Sequence, residues 1–187
     1  MSNSMQALTP AARNLDEVLS ECHAFDREFR SLLIASCNAD SEPEASYAPY
    51  IKHQGSYYVY LSELAAHTGN LLHNERCSVL FIENEADAKY LFARRRLTLR
   101  CVASEVARDG DAFDEVFDQM EAQFGNFMRM MRNLTDFHLF RLEPESASYV
   151  SGFAQAYSLN GEGLQTIRLR NEAGHRRTKT PDTQTTD

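Results

Sequence analysis

Leu15, Val18, Leu19, Cys22, Phe25 and Phe29 recur at intervals of three and four, the spacing of one buried face on an amphipathic helix. Thr9-Pro10 ahead of them has the form of an N-cap and a first-turn proline. His23 flanks the stripe and reads as structural. The pattern then changes to strands. "SLLIASC" is a short apolar run, ended by the turn-rich "NADSEPE". "ASYAPYIKHQGSYYVYLS" predicts two strands joined at Gln54-Gly55, a hairpin signal. "LSELAAHTGNLLHNERCSVLFIE" predicts a strand end, a short helix and another strand. In "RRRLTLRCVASEV", Leu97, Leu99 and Cys101 alternate as in a half-buried strand. "DGDAFDEVFDQMEAQFGNFMRMMRN" is helical, with Phe113, Val116, Phe117 and Met120 on one side and Gly125 as a dividing point. Met128, Met130 and Met131 read as core filling, with a cofactor-pocket lining as the alternative. "TDFHLFRLEP" and "SASYVSGFAQAYSL" read as the last strands, and the chain turns polar beyond Leu159.

A strand-rich middle, few helices and short links predict an α+β fold: a small antiparallel barrel with helices packed outside it. One domain is expected over residues 1–187, with its core and N-terminal helix at 10–159 and a basic segment at 160–187.

Composition narrows the function classes. The chain is 43% hydrophobic and 25% charged, as in an ordinary globular protein. Its formal charge of −8 disfavours nucleic acid as a partner. No apolar run reaches the length of a membrane span, and the first residues lack the apolar core of a signal peptide, so a cytoplasmic place is expected. Cys22, Cys37, Cys77 and Cys101 form no C-x-x-C pair and read as buried reduced thiols. The patterns G-x-S-x-G, H-E-x-x-H and the P-loop are absent, so the sequence offers no nucleophile of a known kind.

Four pieces in order, "SLLIASCNADSEPEASYAPYI", "LSELAAHTGNLLHNERCSVLFIE", "ARRRLTLRC" and "DFHLFRLEPESASYVSGFAQAY", resemble the FMN-binding split barrel of pyridoxamine 5′-phosphate oxidase-like proteins. The likeness covers about Ala24 to Tyr157 and is closest to the haem-utilisation branch, the HutZ/HugZ type. It implies an antiparallel split β-barrel with flanking helices and a homodimer with haem near the subunit boundary. It also implies oxygen-dependent haem degradation with electrons from an external, unidentified donor. Two alternatives stay open: an FMN-dependent oxidoreductase, and a non-catalytic haem carrier or storage protein.

Flavin-binding relatives grip the FMN phosphate with an Arg and a Lys near the turn before the short helix. Ala66 and His67 stand in those places here. A phosphate would then depend on Ser62, His67, Thr68, Asn70 and Arg76, a weaker grip than a bidentate arginine. The same polar residues also read as helix cap and loop partners. For haem, the resemblance implies an axial histidine in the C-terminal segment, which by position is His175, in "NEAGHRRTKT". Arg176 and Arg177 beside it suit the propionates. The resemblance assigns Asp136 as the acceptor for that histidine's other N–H. Arg96 is the candidate for the distal side of the haem, with an ion pair to a carboxylate such as Glu83 or Glu85 as the plainer reading of this arginine run. His23, His53 and His73 read as surface or structural, and His138 as pointing away from the face of Phe137 and Leu139.

Overall fold

A computed structural model describes residues 13–170. It places α1 at Leu15–Phe25, β1 at Ser31–Cys37, β2 at Pro43–His53, β3 at Ser56–Ser62 and α2 at Ala66–His73. Next come β4 at Arg76–Ile82, β5 at Arg96–Glu105, α3 at Asp111–Phe124 and α4 at Asn126–Met131. The last described elements are β6 at Phe137–Gly152, β7 at Gln155–Asn160 and β8 at Thr166–Leu169. The strands run β3-β2-β1-β4-β5-β6-β7-β8, and a further β3–β6 pairing closes the first six into an antiparallel barrel. The predicted split barrel with flanking helices is therefore the observed fold.

Local chemistry explains most boundaries. Asn14 caps α1, its side chain accepting from Asp16 N at 2.9 Å. Thr9-Pro10, expected in that role, lies outside the described residues. The β2–β3 hairpin turns on Gln54 (φ 48°) and Gly55 (φ 81°), the positive-φ pair of a tight hairpin whose twist matches its strands. Gly125, at φ 80°, separates α3 from α4 as the sequence suggests.

Two apolar clusters hold the barrel. Leu32, Ile34, Val59, Val79, Leu99 and Leu142 fill its interior, with Val18, Cys22 and Phe25 of α1 packed against them. The second cluster lies outside the wall, where Phe113, Val116, Phe117 and Met120 of α3 cover Tyr58, Tyr60, Ile51 and Leu139. Strand β3 is buried on both faces for this reason. Phe117 is fully enclosed, and such a side chain stabilises the fold by roughly 1.5–3 kcal/mol. Of the methionines expected in the core, Met128 is buried but Met130 is exposed, because it falls on the outer side of the short α4.

The end of the chain differs from the sequence expectation. β6 is one continuous strand through "FHLFRLEPESASYVSG", not the end of one strand and the start of another. Pro144, which lacks the N–H of a regular ladder, argues against continuity in the sequence. It is tolerated because the register slips there: Arg100 faces Ser146 and Cys101 faces Pro144, leaving Glu145 as an extra residue. The turn comes later, where Ala154 has φ 58°. Beyond Leu159 the sheet continues, with β8 pairing back on β7.

Candidate functional site

The candidate site lies where β3 ends and β6 begins. Ser62 faces Phe137 across these strands, so the β3–α2 turn lies beside Asp136, although more than seventy residues separate them. Glu63 N donates to Asp136 O at 2.8 Å. Ser62 makes this turn rather than capping the helix. Its carbonyl accepts from Ala65 N at 3.0 Å and from the Thr68 hydroxyl at 2.6 Å, and its hydroxyl accepts from Leu64 N at 3.2 Å. The N-cap of α2 is Ala65, which offers no side-chain acceptor.

The polar residues expected to meet a phosphate face inward. Thr68 is fully buried and its hydroxyl proton is used on Ser62. Asn70 donates its amide to Ser36 Oγ at 3.0 Å and to Glu44 at 3.2 Å, tying α2 to β1 and β2. His67 is also buried, and desolvation lowers its pKa against the opposing pull of Glu44, so the ring is neutral near pH 7. Arg76 projects outward into an ion pair with Glu145. The turn therefore keeps its shape by internal bonds and presents no cation to a phosphate dianion.

Asp136 is half-buried and its carboxylate makes no hydrogen bond or ion pair among the described residues. Two side chains to which the sequence assigned no role at the site, Arg108 and His138, hold its segment. Arg108 donates to the carbonyls of Arg132 (2.6 Å), Leu134 (2.7 Å) and Phe137 (2.7 Å), and to the Tyr60 hydroxyl (3.0 Å). His138 lies between Glu105, 2.6 Å from Nδ1, and Glu63, 2.9 Å from Nε2. These carboxylates raise its pKa, the Glu105 bond first. His138 does point away from the face of Phe137 and Leu139, but as a clamp between the β3–α2 turn and the end of β5. No local pattern betrays either role, since every partner is brought in by the barrel.

The arginine run divides its duties. Arg94 is bound to Glu83 O and Glu85, and Arg95 to Glu83 and Glu28 while lying over the Phe25 ring. The ion pairs with Glu83 and Glu85 are thus real for these two. The Arg96 guanidinium meets just the Arg94 carbonyl, at 3.1 Å, among the described residues. It stands at the start of β5, opposite Val150, whereas Glu105 at the other end stands opposite Phe140. The ten-residue strand separates these ends by about 30 Å. One copy of the chain therefore does not bring Arg96 to Asp136. His175, Arg176 and Arg177 lie outside the described residues.

A cavity of about 550 Å³ opens elsewhere, at the hairpin end, bordered by α1, Lys52, Tyr57, Arg141 and Leu164. There Asp26, 1% exposed, receives bonds from Lys52 Nζ and the Tyr57 hydroxyl, both at 2.5 Å. On the outer wall an uncovered apolar stripe crosses three strands: Leu33 faces Tyr47 on one side and Leu80 on the other. Leu33 is 45% and Tyr47 67% exposed. Among the described residues no helix is long and apolar enough to cross a membrane, and no cluster of His, Cys, Asp or Glu could hold a metal ion.

A closed six-stranded antiparallel barrel with flanking helices defines a split barrel of the flavin-binding type, and among the described residues its β3–α2 turn is satisfied internally. The chain belongs to the pyridoxamine 5′-phosphate oxidase family, whose model matches residues 18–151. It is 41% identical over 157 residues to a curated Vibrio cholerae protein named haem oxygenase HutZ, covering 84% of this chain and 89% of that one. The crystal structure of Vibrio cholerae HutZ, there called a haem storage protein, is 40% identical with a TM-score of 0.64, over 71% of this chain and 92% of that one. The structure of Campylobacter jejuni ChuZ is 30% identical with a TM-score of 0.78, over 90% and 68%.

Proposed function

We propose that this protein binds haem for iron utilisation and degrades it with oxygen and an external reductant. The observation that carries this reading is the contrast within the site. Thr68, Asn70 and the neutral His67 are committed inward, while the Asp136 carboxylate, on a segment braced by Arg108 and His138, has no partner among the described residues. That contrast disfavours FMN and suits a group bound through an imidazole. His175 would hold the iron, Asp136 would accept its second N–H, and Arg176 and Arg177 would meet the propionates. When bound, haem supplies the redox-active iron and the oxygen chemistry. Asp136 would orient that imidazole and make it more electron-rich, and Arg96, the least engaged guanidinium of its run, would supply donors to the bound group.

A site using both Arg96 and Asp136 takes one from each of two copies. The Tyr47, Leu33 and Leu80 stripe supports such a homodimer, because an apolar sheet face of this kind gains by being covered. The four free cysteines suit a reducing, cytoplasmic setting. The second reading is haem storage without turnover, the description attached to the HutZ crystal structure.

Hemin titration followed by ascorbate in air separates these readings. A Soret band that forms and then bleaches is expected, a stable band means storage, and bound flavin with no Soret band overturns the proposal. H175A should lose the ligand-specific spectrum. Mixing R96A with D136A tests the shared site: each variant alone is inactive, and the mixed dimer regains one intact site. No recovery in a verified mixed dimer removes the two-copy arrangement.

A further inference from the structure

Cys77 on β4 and Cys101 on β5 are direct register partners, and both side chains face into the barrel. Two residues away, Ala103 N donates to Glu75 O at 2.6 Å, and at the far end Glu83 N donates to Arg95 O at 2.9 Å. Hydrogen-bonded pairs recur at every second residue, so Cys77 and Cys101 form one, with Cα atoms about 5.5 Å apart. That lies within the range a disulfide spans. The Cβ atoms of such a pair start about 5.5 Å apart, beyond the roughly 3.5–4.5 Å of a disulfide, so closing the bond must draw the strands together by about 1 Å. Cys101 sits where the β5–β6 register slips, the place on β5 best able to shift.

We propose that Cys77 and Cys101 form a reversible disulfide across the barrel wall when the protein meets a hydroperoxide. The Cys77 thiolate attacks one peroxide oxygen, the O–O bond breaks, and hydroxide leaves. Cys77 is then a sulfenic acid. The Cys101 sulfur attacks the Cys77 sulfur, the S–O bond breaks, and water leaves with the Cys101 proton. Two thiols lose two electrons, and hydrogen peroxide becomes two waters. The order of attack follows from the environment. Cys77 is 8% exposed and Cys101 1%, so a small oxidant reaches Cys77 first. Burial raises the Cys101 thiol, the more enclosed of the two, which suits it to the second step. Cys22 does not compete, because burial pushes its thiol up to about 12. A bond closed against the sheet's spacing is more easily reduced than a relaxed one, which makes the step reversible by cellular thiols.

The test oxidises the reduced full-length protein with hydrogen peroxide, then alkylates it under denaturing conditions and maps it by mass spectrometry. The expected result is loss of two alkylatable thiols and two hydrogen masses, a fragment joining the Cys77 and Cys101 peptides, and full reversal by dithiothreitol. C37A should keep the cross-link. C101S should stop at the sulfenic acid, with Cys77 gaining one oxygen and reacting with dimedone. A cross-link between any other pair, or oxidation of Cys77 to the sulfinic acid in wild type with Cys101 still alkylatable, would overturn the proposal. The wild-type map decides the matter even if a variant fails to fold.

Discussion

Asp26 and Asp136 are the same side chain in opposite circumstances. Asp26 is enclosed beside the end of α1, where Lys52 and Tyr57 donate to one carboxylate oxygen and the Tyr50 hydroxyl donates to its carbonyl at 2.5 Å. Burial and this carboxylate raise the Tyr50 and Tyr57 hydroxyls well above the ordinary tyrosine value, so both stay protonated donors. Asp136 is half-buried, its backbone is fixed by Glu63, and its carboxylate is uncommitted among the described residues. The Asp26 carboxylate is locked through Oδ2 by two donors, with Oδ1 buried and unpartnered among the described residues, whereas Asp136 keeps both carboxylate oxygens free of partners there.

Breaking that contrast gives the largest expected effect. Asp26→Ala leaves Lys52 and Tyr57 facing an apolar void, and removing one member of a buried pair costs about 3–5 kcal/mol. Lys52 is 35% exposed, so water recovers part of its charge and the lower end, about 3 kcal/mol, is expected. Asp136→Ala should change stability by less than about 0.5 kcal/mol, as for a side chain without partners, while altering the haem-bound spectrum. Chemical denaturation of both variants measures this directly. Equal losses would mean that Asp136 is as structural as Asp26.

The barrel was readable from the sequence wherever one face alternated cleanly. Leu97, Leu99 and Cys101 of β5 point inward as their spacing requires, and Gln54-Gly55 turns as its residues demand. Strand β6 was misread because Pro144 hides a bulge that exists only through pairing with β5. Strand β8 was missed because four residues with two half-buried apolar positions carry no periodic signal. Asp136 enters as a candidate through family resemblance alone. Arg108 was invisible, because three of its four acceptors are main-chain carbonyls gathered by the fold. The inward turn of Thr68 and Asn70 was likewise a matter of packing, since Ser36 and Glu44 come from other strands.

Arg108 sharpens the comparison, since it supports Asp136 from behind. Arg108→Ala removes four hydrogen bonds at once, along with contacts over the Tyr60 and Phe113 rings. A cost of about 2 kcal/mol is expected, because charged donors are worth more than neutral ones but water partly replaces them at this exposed edge. Hydrogen exchange should quicken most in residues 132–137. The haem-bound spectrum should shift as it does in the Asp136 variant. Arg108→Lys should not restore it, because one ammonium cannot reach carbonyls that a planar fork spans. A destabilised variant with an unchanged spectrum would show that the loop's position does not matter to the ligand.

The smallest effect belongs to His138, and its sign is fixed by its partners. Glu105 and Glu63 favour the imidazolium, so the folded-state pKa lies above the unfolded value. The protonated clamp therefore contributes its full stability below about pH 6.5, the unfolded value, and that contribution fades as pH rises through the folded one. Glu105→Gln removes the stronger of the two bonds and should flatten this dependence. Melting temperatures of wild type and Glu105→Gln should differ most below about pH 6.5 and converge as pH rises through the folded-state value. The two acidic groups are the charged partners the ring meets, with the Phe140 ring packed against it, so no other neighbour reverses the sign. A gap that stays constant across this range would mean that His138 does not titrate there, and that the loop bearing Asp136 is held by Arg108 and the backbone bond to Glu63 alone.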